Sequence, residues 1–280
     1  MSTKNEVPSP IGVIPTGSYF LDRALGIGGW PRGRIVELYG SHGSGRTTLA
    51  LEAIGQAQRA GGTGALLDAD HATEPDTARR LGVEPGSLLL HRTNVLEDAF
   101  EQIETWIATG ADVIVLDSIA ALMRESVMNR NRSDRPDEGE DKEHQRIVEH
   151  SLRRVLGRLY SSRSVLLVTN QLREKLGVMY GDPMTTPWET HPLRDYASVR
   201  ADVKRVTHVK EGETTIGTET RVKIVKNRFG GAFRDAEFEI WFDSGICREA
   251  ELLELGSQVG VVRTEQKDAF SLRGPSVFEG

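Results

Sequence analysis

Short apolar runs recur along the chain, each ending in a polar or acidic residue and separated by stretches of helical spacing. Arg34-Ile35-Val36-Glu37-Leu38-Tyr39 stops at a glycine-rich turn, and Ala65-Leu66-Leu67 runs into Asp68. Val113-Ile114-Val115-Leu116 ends at Asp117, and Val165-Leu166-Leu167-Val168 ends at Thr169-Asn170-Gln171. Such continuous runs predict parallel strands covered on both faces. Between them, residues 47–59 carry Leu49, Leu51, Ile54 and Ala57 near one helical face and end at Gly61-Gly62. A second helix is predicted over residues 143–160, with Ile147, Val148, Leu152, Val155, Leu156 and Leu159 on one side. After about residue 195 the period changes to two: Thr220, Val222 and Ile224, then Phe238, Ile240 and Phe242, alternate with mostly polar residues. That alternation predicts antiparallel hairpins. The fold class is therefore α/β, a mainly parallel twisted sheet with helices on both faces, extended by hairpins.

Composition narrows the setting. The 280 residues hold 35 Lys+Arg against 41 Asp+Glu, a net charge of −6, which argues against a wholly basic nucleic-acid coat but leaves room for a local basic groove. The single cysteine, Cys247, excludes a disulfide framework and a cysteine-based zinc cluster. Neither a signal peptide nor an apolar run of the ~20 residues that span a membrane is present, so a cytoplasmic protein with no membrane role is expected. Residues 1–17 read as a short proline-punctuated arm and residues 18–280 as one core domain. Residues 129–142, nearly all polar or charged, read as a long exposed loop.

The first strand leads into Gly40-Ser41-His42-Gly43-Ser44-Gly45-Arg46-Thr47-Thr48. Glycines at this spacing between a strand and a helix let successive backbone N–H groups curl around phosphates, while the helix N-terminus adds its dipole. Thr47 stands where a hydroxyl holds Mg²⁺. Arg46 occupies the usual lysine position. Its charge keeps the attraction for phosphate, but a planar fork aims its donors differently from an ammonium. Nucleotide binding is thus expected ahead of fast hydrolysis. Asp117, closing a buried strand, is the second candidate for Mg²⁺, and Asp68 or Asp70 is a candidate to orient a water. A lone strand-end aspartate is ordinarily a helix cap; two acidic strand ends beside a phosphate loop favour chemistry at the sheet's carboxyl edge.

At this point the residues resemble the bacterial RecA family of ATP-dependent recombinases. The resemblance is carried by the approach from Leu25 through Gly28-Gly29-Trp30-Pro31 to Glu37 and by the phosphate loop itself. It continues through Asp68-Ala69-Asp70-His71-Ala72, Val115-Leu116-Asp117-Ser118, the run from Thr169-Asn170-Gln171 to Gly181, and Arg221-Val222-Lys223-Ile224-Val225-Lys226-Asn227-Arg228. These blocks are collinear from about residue 15 onward. The resemblance implies a RecA-like phosphate-loop NTPase core in which residues 40–48 cradle ATP and Thr47 and Asp117 serve Mg²⁺. It further implies that Asp70 activates water and that Asn170 and Gln171 sense the γ-phosphate. Lys226 and Arg228 would reach the nucleotide of a neighbouring subunit in a head-to-tail assembly; from the residue pattern alone they read as a solvated edge strand.

The departures carry expectations too. Asp70 is one methylene shorter than the family's glutamate, a displacement on the scale that can cost ~100-fold. Thr77 replaces a tyrosine that stacks on adenine, and Asp195 replaces an interfacial phenylalanine, which predicts weaker self-association. A long N-terminal docking helix and a C-terminal domain are not expected in this chain. In the first candidate DNA loop, Arg124, Arg130, Arg132 and Arg135 would neutralise phosphates. Asp137, Glu138, Glu140 and Asp141 follow directly, so a merely solvated loop is an equal reading. In the second, Arg173 and Lys175 supply charge, and Tyr180 or Trp188 supplies a stacking face, while Pro187 and Pro192 stiffen the segment. Two functions are left to separate. One is an ATP-dependent single-stranded DNA binder of recombination and DNA repair, working with a protein partner of that machinery. The other is an accessory paralogue that binds nucleotide and a partner with little or no hydrolysis.

Overall fold

The computed structural model describes residues 11–128, 139–174, 184–187, 190–266 and 269–272. Its centre is a nine-stranded sheet. In chain order the strands are β1 (Ile35–Gly40), β2 (Gly64–Asp68), β3 (Leu89–His91), β4 (Val113–Asp117), β5 (Val165–Gln171), β6 (Val199–Glu211), β7 (Thr214–Asn227), β8 (Asp235–Trp241) and β9 (Gly245–Ile246). Their spatial order is β9-β8-β7-β6-β1-β5-β4-β2-β3. Strands β6, β1, β5, β4, β2 and β3 run parallel to one another, and β7, β8 and β9 extend the sheet antiparallel from β6.

The parallel strands are buried on both faces, as their unbroken apolar sequence demands. Val36, Leu38, Leu66, Val115 and Leu167 pack on one side beneath the helix Arg46–Arg59. Ile35, Leu67, Ile114, Leu116, Leu166 and Val168 pack on the other, beneath helices Leu96–Thr109 and Glu140–Tyr160. The long helix starts at Glu140, three residues before the predicted start, because its first residues, Glu140-Asp141-Lys142, carry no apolar signal. Val148, Leu152, Val155 and Leu159 are fully buried, while Ile147 and Leu156 flank them. Phe242 departs from the predicted alternation: β8 ends at Trp241, and Phe242 is exposed. Ahead of the sheet, Val13–Ile14 pairs with Trp30–Pro31, and Ser18 caps the helix Tyr19–Leu25 by accepting from the Leu21 amide.

Parallel register gathers the strand ends. Gly40 lies level with Gln171, and Asp68 level with Asp117. The phosphate loop, both acidic segments and Asn170-Gln171 therefore share one edge of the sheet, the edge at which open α/β sheets bind ligands.

Candidate nucleotide site

The loop between β1 and the helix Arg46–Arg59 is closed by its glycines. Gly45 caps the helix at φ +98, and a Cβ there would stand 2.7 Å from Ile240 Cδ1. A Cβ on Gly40 would stand 2.2 Å from the Val203 carbonyl oxygen. Only glycine fits either place. Ser41, His42 and Gly43 face solvent. Ser44 is buried and its Oγ has no protein partner, a polar atom that a bound phosphate would satisfy. A cation absent from the sequence reading also lies here: a Cβ on Gly43 would stand 3.6 Å from Arg205 Nη1.

Thr47 and Asp117 meet directly. The Thr47 hydroxyl donates to Asp117 Oδ2 at 2.7 Å, while Thr169 donates to Asp117 Oδ1. Asp117 is 8% exposed and aimed at the loop by both hydroxyls. The peptide between Asp117 and Ser118 is cis. A hydroxyl and a carboxylate are the hard oxygen donors Mg²⁺ takes from protein when phosphates supply the rest. In keeping with that sparse ligation, no cluster of three or more His, Cys, Asp or Glu side chains is placed to hold a metal among the described residues. The residues present fit Mg²⁺ with a nucleotide, and Thr48 follows in the first helical turn.

The two acids after β2 separate. Asp68 is 1% exposed and accepts from the Ala72 and Thr73 amides at 3.1 Å each, with Arg92 Nε at 3.4 Å. It shapes the loop, so the open acid is Asp70, held at the rim by its amide's bond to the Asp117 carbonyl at 3.3 Å. Partial burial raises the Asp70 pKa, the charges of Asp117 and Asp68 add to the rise, and Arg46 opposes it. Burial lowers the Arg46 pKa in turn, against the pull of Asp117 and Asp70. Arg46 donates to the Asn170 carbonyl oxygen, which fixes the fork toward β5.

Asn170 is fully buried. Its amide donates to Glu37 Oε1 and to Thr190 Oγ1, both at 3.0 Å, and Glu37 Oε2 accepts from Arg200 Nε at 2.5 Å. Gln171 ends β5 beside Gly40, half-buried. None of Glu37, Thr190 and Arg200 was singled out from sequence, although a glutamate inside the apolar run Ile35-Val36-Glu37-Leu38 was a visible signal. Lys226 and Arg228 lie elsewhere. Val222 pairs with Val203, which is level with Gly40, and Lys226 is about 13 Å further along β7, away from the phosphate loop. Lys226 Nζ donates to the Arg194 and Asp195 carbonyls at 2.8 and 3.1 Å, and Arg228 Nη2 to the Asp195 carbonyl at 3.3 Å. Asp195 itself is exposed on the short helix Pro192–Tyr196.

Of the candidate DNA contacts, Arg124 faces inward, its guanidinium 5% exposed and paired with Glu143 at 2.5 Å. Arg173 is exposed in a two-residue ladder, Arg173–Glu174 against Met184–Thr185. Arg130, Arg132, Arg135, Lys175, Tyr180 and Trp188 lie outside the described residues.

Sheet, loop and strand-end acids together define a phosphate-loop NTPase core. The RecA N-terminal domain model matches residues 1–247. Protein RecA of Acidothermus cellulolyticus is 46% identical over 264 residues, 94% of this chain and 75% of that protein. Protein RecA of Mycobacterium sp. strain KMS is 43% identical over 281 residues, covering all of this chain and 79% of its own. Protein RecA of Kineococcus radiotolerans is 46% identical over 94% of this chain and 74% of its own. The chain belongs to the RecA family. No helix among the described residues is long and apolar enough to cross a membrane.

Proposed function

We propose that the chain is an ATP-dependent single-stranded DNA-binding protein of the recombinase type. It acts in homologous recombination and DNA repair in the cytoplasm, with residues 18–280 as its nucleotide-binding core and residues 1–17 as an arm. The observation that supports this most is the division of labour across the sheet. Residues 40–48, Asp70, Asp117 and Gln171 share the carboxyl edge, while Lys226 and Arg228 sit where they cannot serve their own phosphate loop. A head-to-tail neighbour brings the two sets together.

In this reading the loop amides and the helix N-terminus hold the phosphates of ATP, Arg46 adds a full positive charge, and Thr47 and Asp117 hold Mg²⁺. Bound Mg²⁺ neutralises charge on the phosphate oxygens. Asp70 accepts the proton of the attacking water, its raised pKa bringing it closer to the working pH of a general base. Gln171 senses the nucleotide from the adjacent strand end. Lys226 and Arg228 stabilise the phosphoryl charge across the subunit boundary. Arg173 and Lys175 on the second loop, with Arg130, Arg132 and Arg135 on the first, contact DNA phosphates, and Tyr180 and Trp188 stack on bases. A protein partner from the repair machinery acts on the assembled form. The named relatives lend the accessory-paralogue reading no support.

The test measures single-stranded DNA affinity with and without a non-hydrolysable ATP analogue, together with ATPase turnover. Analogue-dependent binding and DNA-stimulated turnover are expected. Absence of DNA binding in both conditions overturns the reading.

A further inference from the structure

Polar contacts run from the phosphate loop through Asn170 to Glu37 and Arg200, and Glu37, Arg200 and Lys226 lie in one row across β1, β6 and β7. The run starts at the phosphate loop, where Arg46 donates to the Asn170 carbonyl. The Asn170 amide passes the contact to Glu37 Oε1 at 3.0 Å, and Glu37 Oε2 holds Arg200 Nε at 2.5 Å. Arg200 is the cross-strand partner of Lys226 in the β6–β7 ladder, and directly opposed residues share one face of the sheet. Lys226 and Arg228 are in turn anchored on the Arg194 and Asp195 carbonyls.

Glu37 and Asn170 are fully buried, and the Arg200 side chain is only 14% exposed. A buried carboxylate with two fixed donors is costly to leave half-paired, so its position is tightly bound to that of both partners. The Arg200 guanidinium is held further by stacking over the Tyr39 ring at 4.8 Å. Tyr39 and Glu37 are both on β1, the strand that feeds the phosphate loop. Arg46 bonds to the Asn170 carbonyl and Glu37 to the Asn170 side chain, so Asn170 links the phosphate loop to the buried carboxylate on β1.

Resting on the proposed function, we infer that Glu37 is a positioning residue. It couples the nucleotide state of a subunit's own phosphate loop to the setting of the cations, Lys226 and Arg228, that the same subunit offers to its neighbour. Nucleotide in one site then favours docking of the next, and by linkage docking strengthens nucleotide binding by the same factor.

Glu37→Gln tests this, because it removes the charge that holds Arg200 while keeping the shape of the side chain and one accepting oxygen. The probe is a fluorescent non-hydrolysable ATP analogue with Mg²⁺, titrated at low protein concentration. Assembly is followed by sedimentation velocity with and without that analogue. In the wild type the analogue is expected to lower the concentration for assembly by at least about tenfold. Glu37→Gln is expected to bind the analogue within about twofold of wild type, while its analogue-dependent shift in assembly falls below about twofold. A merely structural role would weaken assembly equally with and without analogue and leave that ratio unchanged. Arg200→Gln breaks the same link from the half-buried end, and serves if Glu37→Gln does not fold. A wild-type ratio in either folded variant overturns the inference. So does a wild type that binds analogue with no shift in assembly, which leaves the nucleotide site standing. A wild type that binds no analogue overturns the functional reading itself.

Discussion

At the scale of single residues, the proposed chemistry turns on one carboxyl, Asp70, and one guanidinium, Arg46. Asp70 carries a pKa raised by partial burial and by the negative charges of Asp117 and Asp68. A carboxyl whose folded pKa exceeds its unfolded value binds more protons when folded, so stability falls as pH rises from the unfolded pKa through the folded one. The loss is complete above the folded pKa. Asp70→Asn is therefore expected to raise the melting temperature at neutral pH, with the gain fading as pH falls to about 4, while ATPase activity drops sharply. Calorimetry across that range checks the sign, and equal gain at all pH values would show that the charge is not the cause. Arg46 presents the complementary case. Its fork is committed to the Asn170 carbonyl, so only part of it faces a phosphate. Arg46→Ala removes a charge-assisted contact of about 1.5–3 kcal/mol, and analogue affinity is expected to fall about tenfold or more. Arg46→Lys keeps the charge but frees the Asn170 carbonyl, so it should alter turnover more than affinity.

At the scale of elements, the strands were the most readable part of the molecule. Each parallel strand is buried on both faces, and its apolar run announces it without help from neighbours. The same property hid the far edge: β3 holds Leu89 and Leu90 in exposed positions, so burial left no pattern to read. Asp117 and the phosphate loop were legible because their chemistry is local, a strand end and a glycine turn. The Asp68–Asp70 distinction was not, since only the fold reveals that the Ala72 and Thr73 amides claim Asp68. Arg124 likewise looked like a loop cation until the helix Glu140–Tyr160 brought Glu143 against it. Nor could β7 show from its sequence which end of the sheet Lys226 and Arg228 occupy. That placement has a direct consequence. Subunits carrying Lys226→Ala and Arg228→Ala, and subunits carrying Asp70→Asn, should each lose most ATPase activity, the former by about a thousandfold. Mixed together, they should regain activity at roughly a quarter of the interfaces, where an intact acid meets intact neighbouring cations. No recovery in the mixture would place the cations in the same subunit as the nucleotide they serve.

At the scale of the whole molecule, the net charge of −6 is an average over opposing patches. Glu219 and Glu239 face one another across β7 and β8, beside Asp235 and Glu237, on the hairpin half of the sheet. The first candidate loop sets three arginines beside Asp134, Asp137 and Glu138, and the second mixes both signs as well. Arg130, Arg132 and Arg135 stand within a few residues of one another, with Arg173 and Lys175 in the second loop. Electrostatic binding to single-stranded DNA is therefore expected to be local and strongly salt-dependent, despite the acidic total. For single strands the logarithm of affinity falls with the logarithm of salt by about 0.7 for each phosphate neutralised. Replacing Arg130, Arg132 and Arg135 together with glutamine is thus expected to reduce that slope by about 2, with thermal stability unchanged. Arg124→Gln should do the reverse, lowering stability through the loss of a buried guanidinium and its pairing with Glu143 while leaving the slope alone. Titrations at several salt concentrations separate the two. An unchanged slope in the triple variant would assign the first loop to solvent and leave Arg173 and Lys175 as the DNA-facing charge.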